Sequence, residues 1–117
     1  MTAPGTGFLP SSARVAATGG DNATLVKQGP GAIDGFVGSS NGANAYIKFY
    51  DLGRLPTAAD TPFATVFMST AGYQAFYDPP NGRGFVNGLA YRITGAPADN
   101  DATAVSAAAL QGSLEYY

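Results

Sequence analysis

The stretch A-Y-I-K-F-Y-D-L, Ala45 to Leu52, decides how this chain is to be read. Successive side chains of an extended strand point to opposite faces, so Ala45, Ile47 and Phe49 share one face and Tyr46, Lys48 and Tyr50 the other. Alternation sustained over eight residues, with aromatic and branched side chains throughout, predicts a strand that buries Ile47 and Phe49. The next residues, G-R-L-P-T-A-A-D-T-P (53–62), are polar and bracketed by Pro56 and Pro62, which makes them a firm turn.

Working outward, the same kind of signal recurs in short runs separated by Gly, Pro, Asn and Asp. A-T-L-V-K-Q (23–28) ends at Gly29-Pro30-Gly31, and A-I-D-G-F-V-G-S-S (32–40) runs into Asn41-Gly42, a hairpin signal. F-A-T-V-F-M (63–68), Y-Q-A-F-Y (73–77), G-F-V-N-G-L-A-Y-R-I-T (84–94) and L-Q-G-S-L-E-Y-Y (110–117) complete a set of about seven strands. Within residues 89–94, Leu89, Tyr91 and Ile93 face one way and Arg92 and Thr94 the other. T-A-V-S-A-A-A-L-Q (103–111) has no amphipathic face and reads as a loop leading into the last strand. The fold class is therefore all-β, a single antiparallel β-sandwich of the jelly-roll or immunoglobulin-like kind, spanning residues 22–117.

Residues 1–21 read differently. They are rich in Gly and Pro, with only Phe8, Leu9 and Val15 as bulky apolar groups, too few to offset the entropy of ordering. Two readings stay open: a disordered tail, or an extended N-terminal arm that docks Phe8-Leu9 on a neighbouring subunit.

Composition excludes several kinds of chemistry. The 117 residues suit one domain with a real core. With no Cys and no His, disulfides, thiolate metal sites and every imidazole-based triad are ruled out. The six cations, Arg14, Lys27, Lys48, Arg54, Arg83 and Arg92, are scattered against eight acids, so no phosphate-binding patch forms and no nucleic-acid partner is expected. No apolar run approaches a membrane span, and residues 1–20 lack the cationic start and apolar centre of a signal peptide. A soluble protein used without export is expected.

Each cluster with catalytic potential has a plainer role. Asp99, Asn100, Asp101 and Thr103 offer oxygens to calcium, but the further acids and terminal Glu of an EF-hand are missing, and Asx turns explain them. Asp51 and Asp60 suggest a glycosidase pair, yet each sits where a turn needs a carboxylate. The glycine-rich segments 29–35 and 81–84 do not match a phosphate-cradling loop. Expected cofactors and metals are none, and no catalytic residue is expected. Seven Tyr and seven Phe exceed what a core this size needs. Tyrosines on an outward sheet face bring contact area at low entropic cost, and the alternative is that loops cover both faces of the strand. Candidate protein-contact residues are Phe8, Leu9, Tyr46, Tyr50, Arg54, Tyr116 and Tyr117.

In order and spacing, the stretches G-A-I-D-G-F-V-G-S-S-N-G-A-N-A-Y-I-K-F-Y-D (31–51), L-P-T-A-A-D-T-P-F-A-T-V-F-M (55–68), N-G-R-G-F-V-N-G-L-A-Y-R-I-T-G (81–95), P-A-D-N-D-A-T-A-V (97–105) and G-S-L-E-Y-Y (112–117) resemble a family of small β-sandwich virion proteins of tailed bacteriophages and prophages. The resemblance covers residues 22–117 and contains no catalytic signature. It implies a non-enzymatic structural part of the particle, first of all a capsid decoration (cement) protein. Such a protein stabilises the shell as a homo-oligomer bound to the major capsid protein, located in the virion after assembly in the host cytoplasm. Alternatives are a neck, collar or tail component, or a carbohydrate- or host-receptor-binding module.

Overall fold

The computed structural model describes residues 10–20, 22–40, 44–68, 73–77 (as backbone), 83–106 and 109–117. They form nine strands: β1 (Ser11–Ala16), β2 (Thr24–Gln28), β3 (Gly31–Ser40), β4 (Ala45–Tyr50), β5 (Ala64–Met68), β6 (Tyr73–Tyr77), β7 (Arg83–Phe85), β8 (Gly88–Thr94) and β9 (Leu110–Tyr116). Every pairing is antiparallel. One sheet runs β1-β9-β3-β6, with β7 also pairing β3, and the other runs β2-β8-β4-β5. β6 covers Gly35–Ser39 of β3 and β7 covers Gly31–Ile33, so the two lie end to end along one edge.

The pairings are nested. β4 pairs β5 at the centre, β3 pairs β6 and β7 around it, β2 pairs β8 outside those, and β1 pairs β9 outermost. The chain is thus a two-stranded ribbon rolled so that alternate pairs fall in opposite sheets, which is a jelly roll. This decides between the two sandwich types that the strand pattern allowed.

The core lies between the sheets. Ile47 and Phe49 of β4 are fully buried, with Leu89, Tyr91 and Ile93 of β8 beside them and Ile33, Phe36 and Leu114 facing them from the other sheet. Phe36 meets Phe49 edge to face at a centroid distance of 6.2 Å, joining the sheets through their middles. Phe49 stacks in turn on Phe63 at 6.4 Å, and the Arg83 guanidinium closes the row 5.6 Å above the Phe63 ring.

Three expectations change. The first concerns the arm expected over 1–21: residues 11–16 are a strand in the sheet, so the domain begins before residue 22. An edge strand takes its hydrogen bonds from its neighbour, and one wholly buried side chain, Val15, is enough to seat it. Phe8 and Leu9 lie outside the described residues. Second, the hairpin signal Asn41-Gly42 also lies outside them, and the strands on either side of it, β3 and β4, are not paired but belong to different sheets. Third, residues 84–94 are two strands in two sheets, broken at Val86-Asn87.

The seating of β1 has a direct test. Deleting residues 2–18 removes the six-residue pairing with β9 and takes Val15 and Ala17 out of the core. Burial of Val15 alone is worth about 1.5–3 kcal/mol. The truncated chain is expected to lose at least that much in urea denaturation. An unchanged midpoint would count against β1 as a structural strand.

Candidate protein-contact end

Where β4, β7 and β9 end and β8 begins, the connecting segments brace one another. The Asp51 carboxylate, just past β4, accepts backbone N–H groups from Val86 (3.0 Å), Asn87 (2.7 Å) and Gly88 (3.3 Å). Three amides freed by the β7–β8 break are satisfied by one side chain, so the crossing between sheets has a fixed shape. Burial raises the Asp51 pKa, but the amides of Asn87, Val86 and Gly88 outweigh it and hold the carboxyl below its ordinary value. Gly88 has no room for a side chain, since a Cβ there would sit 2.6 Å from the Lys27 carbonyl oxygen and 2.9 Å from Gly53 Cα.

The proline-bracketed turn is braced in the same way. Arg54 grips Asp60 with two parallel hydrogen bonds, 2.9 and 2.7 Å, and Asp60 also accepts the Thr57 amide at 2.8 Å. This two-pronged ion pair holds the Asp60 carboxyl well below the usual carboxylate range, with the Thr57 amide adding to it. The Gln28 side-chain amide then ties the turn to β2 by donating to the Gly53 carbonyl at 3.2 Å. On the far side, Tyr117 and Ala32 exchange backbone hydrogen bonds of 2.8 and 3.3 Å, so the last residue stays on β3.

Three large apolar side chains are exposed on these braced segments: Val86 at 72%, Leu55 at 57% and Tyr117 at 41%. A single exposed apolar residue on a soluble protein needs no explanation, but several mounted on stiff neighbouring loops at one end mark a contact surface. Of the residues expected at contacts, Arg54 and Tyr117 are at this end, together with Tyr116, which is half-buried and packs on the core. Leu55 and Val86 carried no sequence signal, because a lone apolar residue within a turn looks like an ordinary core residue.

Tyr46 and Tyr50 part company. Tyr46 is half-buried and stacks on Phe67 at 4.9 Å, leaving Phe67 43% exposed on edge strand β5. Tyr50 is completely buried, so its expected contact role is corrected. The segment between β8 and β9 lies over that face. Lys48 and Arg92 are cross-strand partners, both with no exposure, and the segment's backbone carbonyls receive them, Ala98 from Lys48 and Asp101 from Arg92 at 2.6 Å. Arg92 also donates to the Tyr50 hydroxyl at 3.1 Å. Burial first, then the positive charge of Arg92, pushes the Lys48 amine below its ordinary pKa, and Asp101 and Asp99 pull it partly back. A buried, perturbed lysine suggests a nucleophile, but this one is sealed from any substrate.

Asp101, Asp51 and Asp60 have structural employment. Asp101 accepts the Thr103 hydroxyl at 2.7 Å and its amide at 3.0 Å, the turn expected of it. Asp51 and Asp60 each serve the separate brace described above. Among the described residues, no three acids gather in a way that would hold a metal ion. Comparison of the chain with family models, with curated proteins and with solved structures produced no match in any of the three.

Two expected outcomes test this electrostatic picture. Replacing Lys48 by Met removes a desolvated cation beside another cation and leaves Ala98 to water. Stability at neutral pH is expected to hold or rise by about 1 kcal/mol. The advantage should shrink as pH rises through the lowered pKa of the folded amine and past 10.5, because over that window the folded protein gives up the proton that burial opposes while the unfolded chain still holds it. A loss above about 2 kcal/mol would show instead that the Lys48 hydrogen bond is essential.

The second outcome concerns acid. Asp51 and Asp60 have folded-state pKa values below the ordinary 3.8, so their stabilisation is complete above that pH and is lost as pH falls below it. The thermal midpoint should be flat from neutrality to about pH 5 and fall below about pH 4. In Asp51→Asn with Asp60→Asn the fall should be shallower, and an equally steep fall would assign acid sensitivity elsewhere.

Proposed function

We propose that this chain is a non-enzymatic structural protein of a tailed-bacteriophage particle, a capsid decoration protein that binds the major capsid protein and works as a homo-oligomer in the virion. The observation that carries this reading is the braced end, where Val86, Leu55 and Tyr117 stand exposed on segments fixed by Asp51, by the Arg54–Asp60 pair and by backbone pairing with Ala32 respectively. A stiff surface with apolar tips gives area for binding without paying ordering entropy at the moment of contact. The order of segments across residues 22–117 supports the phage setting, as described above. A jelly roll is also a unit from which viral shells are built, although the fold hosts many other functions. A weak single contact suffices when many symmetric copies engage one particle.

Quantified protein bands from purified particles of the source phage or induced prophage test this directly. Hundreds of copies per particle are expected. About a dozen or fewer would move the chain to the neck or tail, and absence from particles would defeat the reading. Leu55→Asp combined with Val86→Asp should release the protein from particles on dilution, with its thermal midpoint nearly unchanged because both side chains are exposed in the free protein. Full retention of that variant would remove this end from the contact.

A further inference from the structure

We propose that the outer face of the β1-β9-β3 sheet is a binding trough for a neutral saccharide chain, a role separate from the assembly reading and resting on different residues. Pairing lines up Arg14, Ser113 and Val37 in one row across the three strands, and Ala16, Gln111 and Ser39 in the next. Glu115 lies in the row beyond, between Ser12 and Gly35. These rows alternate with Ala13, Leu114 and Phe36, which turn to the core, so they look outward. Here the surface dips into an open trough of about 290 Å³ lined by Arg14, Val37, Ser39, Gln111 and Ser113. A second depression of about 80 Å³ shares Val37 and Ser113 and reaches Glu115.

The lining side chains are uncommitted. Lys48, Arg54, Arg83 and Arg92 are all engaged within the fold. By contrast, among the described residues no hydrogen bond or ion pair occupies the side chains of Arg14, Gln111, Ser113, Ser39 or Glu115. The floor beneath them is rigid. Gly38 and Gly112 are paired, and the Phe36 ring fills the space under both, 2.7 and 2.9 Å from where a Cβ would stand. A site on packed strands holds its geometry better than one on loops.

The lining chemistry selects the ligand. Arg14 supplies only donors, Glu115 only acceptors, and Gln111, Ser39 and Ser113 supply both. An anion suits Arg14 but is opposed by the neighbouring Glu115, and a cation meets the reverse. An apolar ligand would find only Val37 and would strip water from five polar side chains without replacing their hydrogen bonds. A chain of hydroxyls, each both donor and acceptor and none charged, matches the set. The open, shallow shape fits a chain lying along the sheet in preference to a small molecule enclosed in a pocket.

The experiment is an amide NMR titration of the full-length chain with maltohexaose, cellohexaose, chitohexaose and mannohexaose, each to millimolar concentration. At least one sugar is expected to shift the amides of Ser39, Gln111, Gly112 and Ser113. Arg14→Ala and Gln111→Ala should each weaken that binding about tenfold or more, with thermal midpoints unchanged because both side chains are exposed. The proposal is overturned if none of the four sugars moves these amides, or if the variants leave the binding intact. Shifts with inorganic phosphate alone would make the trough an anion site. Shifts on diluting the free protein would make it an interface between copies, and either result replaces the saccharide reading. Particle retention is indifferent to all of these outcomes, so failure here leaves the assembly reading standing.

Discussion

β4 and β8 are buried on both faces, and the rest of the structure is arranged around that constraint. All seven residues of β8 are buried, and so are five of the six in β4. The inner faces meet the opposite sheet through Phe49 and Phe36, as in any sandwich. The outer faces carry Lys48, Arg92 and Tyr50, which cannot be removed from water without partners. The segment following β8 meets the need by turning back over the sheet and presenting the carbonyls of Ala98 and Asp101. Its shape is held by Asp101 bonding Thr103 and by Gly95 bonding the Thr103 carbonyl. It then delivers Val105 and Ala109 to the core and enters β9.

The nested ribbon has a consequence for what the protein can offer others. Because β1 and β9 are the outermost pair, the first and last described strands belong to one sheet, and that sheet's outer face stays uncovered by any described connection. The two sheets thus differ in kind. One has the outer face of β4 and β8 roofed, with Lys48 and Arg92 engaged beneath the roof, while the other presents small polar groups together with the charges of Arg14 and Glu115. At the end where β4, β7 and β9 finish, the crossings are clamped by carboxylates and carry apolar tips into solvent. A polar face and an apolar end suit different partners: the first exchanges hydrogen bonds with a hydrated ligand, and the second buries area against a protein.

How far the molecule was legible from its residues varies by element, for physical reasons. Residues 45–50 alternate because the core accepts only Ala45, Ile47 and Phe49, and that constraint is written locally. β1 was hidden, because an edge strand needs few buried side chains and its stability resides in the backbone of β9. The break at Val86-Asn87 was hidden as well, since the carboxylate that organises it lies some 35 residues upstream at Asp51. Of the contact candidates, Arg54 lies exposed just ahead of the proline-bracketed turn with Asp60 as its partner, a placement that follows from the local polar sequence. Tyr50 misled for the opposite reason: the roof that buries it comes from a distant part of the chain.

The amino-acid sequence by itself determined most of the strand-forming segments, the inward faces of β4 and β8 and the absence of thiol and imidazole chemistry, because side-chain period and residue type are local properties. Only the tertiary structure decided which strands share a sheet, that the ribbon rolls into a jelly roll, and which outer face is roofed. It also brought Val86, Leu55 and Tyr117 to one end and Arg14, Gln111 and Glu115 to one face. Those outcomes depend on pairing between segments far apart in the chain, where loop closure is paid once and many contacts then form together. No window of sequence contains both partners of such a pair.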